Sequence, residues 1–159
     1  MIQRIQSLLL LLAIVCSVLL IFFPTLLLFP AAGLIGDVYG ISALKTDVYS
    51  GGNHKLLMLN WPLIILNSLI ILLYIVIIFG YKKRLQQVKI CNITLLFQAL
   101  LILLFLYESR QVAALAGENY TSSPGWGVAF LPISILLIFS ARYYILKDEA
   151  LVRSADRLR

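Results

Sequence analysis

From Asn60 to Arg84 the chain reads NWPLIILNSLIILLYIVIIFGYKKR, with no charge before Lys82. About 20 consecutive apolar residues are what a helix needs to cross the hydrocarbon layer, so this stretch is a membrane span and not an ordinary core helix. Lys82, Lys83 and Arg84 close it. Basic residues flanking a span stay on the cytoplasmic side, which gives the span a direction that every other segment has to respect. Asn60 before Trp61 and Pro62 fits an N-cap followed by a proline in the first turn, where a missing N–H costs nothing.

The rest of the chain is read outward from that span. Hydrophobic residues make up 62% and charged residues 13% of 159 positions, more apolar surface than a soluble domain of this length can hide. Leu8 to Phe29 is a first apolar run, too long for the core of a cleaved signal peptide, with Pro24 expected to bend its outer third. Pro30 to Leu59 is a glycine-rich loop carrying Asp-Val-Tyr at positions 37 and 47, whose β-branched and aromatic residues suggest two short strands. After the basic connection 82–89, Ile90 to Tyr107 returns as a third span, with 108–116 able to continue the helix into water. A polar, turn-like segment over 118–125 leads to a fourth, Trp126 to about Tyr144, which Pro132 is expected to bend.

These readings give a single domain over 1–159 and an all-α fold. Four antiparallel transmembrane helices, at about 8–29, 61–81, 90–107 and 126–144, carry a small outer loop cap with room for a short β-hairpin. A cytoplasmic tail follows at 147–159. Of the 13 cations, all but Lys45, Lys55 and Arg110 fall on the side that holds both termini and the 82–89 connection, so both termini are expected in the cytoplasm. The net charge of +6 is concentrated there, which turns the reading away from nucleic acid.

The opening MIQRIQ, Lys89-Ile90-Cys91-Asn92, Gly127-Val128-Ala129-Phe130-Leu131-Pro132 and the closing KDEALVRSADRLR resemble a bacterial membrane-protein family catalogued as domain-of-unknown-function family 4293. The likeness covers essentially the whole chain. It implies a four-span inner-membrane protein of a Gram-negative bacterium, and it implies no activity.

Residues able to do chemistry are few. His54 is the single histidine and lies in a loop without a second His or Cys nearby, so neither a metal nor a cofactor is expected. Cys16 and Cys91 differ in depth by roughly 10 Å along their helices, beyond a disulfide's Cα reach of about 7 Å. The span cores contain no acidic or basic residue, which argues against ion-coupled transport and against an enzyme. They do contain amides and hydroxyls. Asn60, Asn67, Tyr74 and Tyr81 recur every seven residues and share a helix face, and Cys91, Thr94 and Gln98 share a face of the third span. Asn67 and Gln98 lie near mid-membrane on antiparallel neighbours, so their amides are expected to make interhelical contacts, with each other in the first instance.

The tail carries Glu149 four residues before Arg153, the favourable order for a helical pair, and an apolar edge of Leu151, Ala155 and Leu158. Its mixed charge suits a protein surface, or the 82–89 connection, better than lipid headgroups, with Arg153, Arg157 and Arg159 as docking anchors. The function expected is a non-enzymatic partner or scaffold subunit of a membrane complex. The alternative is a carrier or binding protein for a neutral or lipid-like solute. Self-association of the chain is compatible with either.

Overall fold

A computed structural model describes residues 2–30, 37–50, 53–80, 84–116 and 120–157. Four helices form the body: α1 (Ile2–Phe22), α2 (Trp61–Phe79), α3 (Arg84–Ala116) and α4 (Phe130–Arg157), the last entered through a 3-10 turn over Trp126–Ala129. All four are long and apolar enough to cross a membrane, and the protein is a membrane protein. They pack in a ring, α1 against α2 and α4, α3 against the same two. Along α2 the buried positions Leu63, Leu66, Asn67, Ile70, Tyr74 and Ile77 recur at spacings of three and four, which makes one inward stripe. Leu8, Ile65, Leu72, Leu96 and Leu136 face outward and are exposed, as helix faces against lipid must be.

The all-α expectation is wrong. Five strands, β1 (Leu26–Pro30), β2 (Val38–Ile41), β3 (Lys45–Ser50), β4 (Asn53–Leu59) and β5 (Tyr120–Pro124), form one antiparallel sheet in the order β4-β3-β2-β1-β5. The two Asp-Val-Tyr copies do pair, Val38 opposite Tyr49 and Tyr39 opposite Val48, but as the middle of this larger sheet. Its first strand comes out of what reads as the end of the first span. Pro24 has no N–H to continue a helix and disfavours the α conformation at Phe23, so α1 stops at Phe22 and the apolar Leu26-Leu27-Leu28-Phe29 pairs as a strand. Its last strand is the polar segment that reads as a turn.

Two further expectations change. Pro132 lies in the first turn of α4, where its missing N–H breaks no helical bond, so it opens the helix and does not bend it. Asn60 precedes α2 but makes no side-chain cap bond; its side chain is used elsewhere, as described below.

At 33 residues α3 is about 50 Å long against roughly 30 Å of hydrocarbon, so it projects well beyond the membrane. Its last turns pack on the sheet. Val112 is buried with Leu28 and Ile41, and Leu26, Tyr39, Ala113 and Tyr120 close around them. Tyr39 and Tyr120 meet edge to face at 5.6 Å.

Candidate functional site

Where the helices meet the sheet, the chain crosses from one to the other four times, and backbone hydrogen bonds tie these crossings together. Ala43 N–H donates to the Leu20 carbonyl near the end of α1 (3.1 Å), Thr25 N–H to Ile41 (2.7 Å), Gly125 N–H to Thr25 (3.0 Å) and Gly127 N–H to Pro24 (2.9 Å). The segments 23–25 and 125–127 approach so closely that a Cβ on Gly127 would sit 2.6 Å from the Phe23 carbonyl oxygen; one on Gly125 would overlap the Pro24 carbonyl. Gly125 has an ordinary extended backbone (φ −86°), so space and not conformation excludes a side chain there.

Asn60 is the other member of this collar. It is 2% exposed, its Nδ2 donates to the Ser42 carbonyl (2.9 Å) and its Oδ1 accepts from Thr46 Oγ1 (3.2 Å), while its backbone N–H donates to Leu44 (3.0 Å). The residue that looks like a helix cap therefore fastens the β2–β3 turn to the top of α2.

Inside the bundle the amides hold helices together. Asn67 Nδ2 donates to the Ser17 carbonyl of α1 (3.0 Å), and Gln98 Nε2 to Ser134 Oγ of α4 (2.7 Å), whose own proton goes to the Leu131 carbonyl (2.8 Å). The two amides thus reach different helices and not one another: each turns to the neighbour on its other flank. Asn67 and Tyr74 are buried on one face of α2, Asn60 is buried just before its start, and Tyr81 lies outside the described residues. Cys16 and Cys91 are free and buried. Among the described residues no group of three His, Cys, Asp or Glu side chains comes together. Amides and hydroxyls of this kind hold and orient; they do not exchange protons near neutral pH.

At the other end of the bundle, Arg84 at the start of α3 grips α4. Its Nη2 lies 3.1 Å from Asp148 Oδ2 and its Nη1 donates to the Asp148 carbonyl (3.2 Å). Gln87, also on α3, donates to the Ile77 carbonyl of α2 (2.7 Å), so the start of α3 is tied to both neighbours. The tail is helical to Arg157. The side chains of Arg153 and Arg157, and Arg159 as a whole, lie outside the described residues.

One cavity opens at the collar. It measures about 140 Å³ and is walled by Ile102, Phe105, Leu106 and Ser109 of α3, roofed by Leu26 and Ile41 of the sheet, and closed by Thr25, Val128 and Leu131. Both hydroxyl protons in this lining are already engaged, Thr25 with the Ile41 carbonyl (2.9 Å) and Ser109 with the Leu106 carbonyl (2.8 Å). Sequence reasoning picks out the buried amides of α2 and α3; it does not fix the lining of the cavity or the glycine collar. Both are made by segments far apart in the chain, and the local sequence signal at this end of the spans is that Pro24, Pro62, Pro124 and Pro132 all fall there.

Two comparisons bear on identity. A family model described as a domain of unknown function, DUF4293, matches residues 2–158. No curated protein matches the chain.

Proposed function

Because the chain belongs to the DUF4293 family, to which no function is attached, its role has to be read from its own surfaces, and we propose that it is a non-enzymatic partner or scaffold subunit of a complex in the bacterial inner membrane. Both termini lie in the cytoplasm and the sheet outside. The observation that carries this reading is that the parts beyond the membrane are built as fixed surfaces. The sheet is bonded into the helix ends on one side, and the α4 extension is gripped through Arg84 and Asp148 on the other. In the bundle between them, the Asn67 and Gln98 side-chain nitrogens bond to α1 and α4. A protein partner at the cytoplasmic tail, beside the lipid itself, is what such a construction serves, and nucleic acid is not among the partners.

Orientation has its own check. Single cysteines at Ser50 and Ser122 are expected to react with an impermeant reagent from outside, and those at Gln86 and Ser154 to stay protected; all four positions are exposed, and the native cysteines are buried. Labelling of Gln86 from outside reverses the topology. For the scaffold reading the measurement is affinity purification in mild detergent, with a stoichiometric partner as the expected result. Deleting Ser154 to Arg159 should leave the protein inserted and folded and release the partner, and a scrambled tail of equal composition should release it too. Retention on the scrambled tail means that charge alone, and not a docking surface, is recognised.

The cavity favours a second reading, a binding protein or carrier for a neutral or lipid-like solute.

A further inference from the structure

We propose that the cavity at the collar binds the hydrocarbon end of an acyl chain from a phospholipid in the leaflet on the sheet side. Its walls are apolar and its two hydroxyl protons are engaged, so it offers no free donor to a polar ligand. Its inner lining is buried, with Phe105 7%, Leu131 9% and Ile41 0% exposed, whereas Leu106 at 57% and Val128 at 43% stand at its mouth on outward faces of α3 and the 3-10 turn. Exposed Tyr107 and Trp126 beside those residues mark the depth at which aromatic side chains meet the headgroups. A chain of that leaflet enters from the side without crossing a polar surface. An apolar cavity of this size stays dry and accepts a benzene-sized group, so about six carbons fit and a whole lipid does not; a helix, roughly 10 Å wide, is excluded.

The inference rests on the second reading only for the existence of a binding site. A chain that is held without exchanging keeps the site and ends the carrier.

The test is native mass spectrometry of the full-length protein, released into mild detergent from vesicles of dioleoyl phosphatidylglycerol or dioleoyl phosphatidylethanolamine, with thermal unfolding in delipidated detergent alongside. Wild type is expected to retain one phospholipid with either headgroup and to gain stability when it is added back. Leu106→Trp and Val128→Phe, both at exposed positions, should reduce retention roughly tenfold by filling the mouth and displacing the acyl chain from its wall contacts, without lowering the unfolding temperature of the delipidated protein. Leu96→Trp, on an exposed face of α3 away from the cavity, should retain lipid as wild type does. Equal loss in Leu96→Trp means unspecific surface lipid and overturns the proposal. So does retention that follows the headgroup and ignores the mouth substitutions. A slow exchange of labelled lipid in wild type would leave the site standing and remove only the carrier.

Discussion

Gly127→Ala is expected to destabilise the folded protein by about 3 kcal/mol, because the added methyl meets backbone and not a side chain that can swing away. Its Cβ would stand 2.6 Å from the Phe23 oxygen and 2.8 Å from that of Pro24. Relief comes only by moving the 125–127 segment away from 23–25, which breaks the bonds from Gly125 to Thr25 and from Gly127 to Pro24, each worth about 1 kcal/mol. Unfolding followed by heat or denaturant in a fixed detergent reads the change. Gly40→Ala is the control: its Cβ would come within 3.1 Å of the Tyr49 ring, a side-chain and not a backbone contact, so a smaller loss is expected. If the two substitutions cost the same, the close crossing is not what holds sheet to bundle.

Asn60 gives the second large effect and separates two explanations of the same residue. Asn60→Leu keeps the size but leaves the Ser42 carbonyl and the Thr46 hydroxyl buried without their partner, at about 1–3 kcal/mol each, so a loss of about 2–4 kcal/mol is expected. The informative variant is Asn60→Asp. As a helix cap, aspartate equals asparagine. In the collar it has no N–H to donate to Ser42 and sets a carboxylate against that carbonyl, so it should lose most of what leucine loses. A near-neutral Asn60→Asp would restore the capping role and remove the fastening.

The four helices were legible because length, apolarity and flanking charge are local properties, and Trp61–Phe79 shows all three. The sheet was legible only where its residues carry a strand signature, around Val38-Tyr39 and Val48-Tyr49. Leu26–Phe29 is as apolar as the helix before it, so hydropathy runs through the boundary and only Pro24 marks it. Tyr120-Thr121-Ser122-Ser123 lacks an apolar alternation because it is an edge strand, held by its backbone bonds to β1. Asn67 and Gln98 could be placed in the interior from spacing alone. Their partners, Ser17 and Ser134, depend on which helices adjoin and at what depth, and no local pattern contains that. The collar glycines are the extreme case: the reason for Gly127 is the carbonyl of Phe23, more than a hundred positions earlier.

The sheet takes four strands from the segment after α1 and its fifth from the segment after α3, and Thr121 and Phe29, joined across it by a hydrogen bond, are 92 residues apart in sequence. A chain emerging from the ribosome has made β1 long before β5 exists. Until the third helix has been threaded, the outer backbone edge of Leu26–Pro30 is bare, and until Gly125 and Gly127 arrive nothing seals it against the end of α1. Closing so long a loop is slow and is rewarded only when the last strand docks. Completion of the sheet is thereby made conditional on synthesis having reached Pro124, and a product truncated before Tyr120 carries an open strand edge at the membrane surface, a template for pairing with other chains.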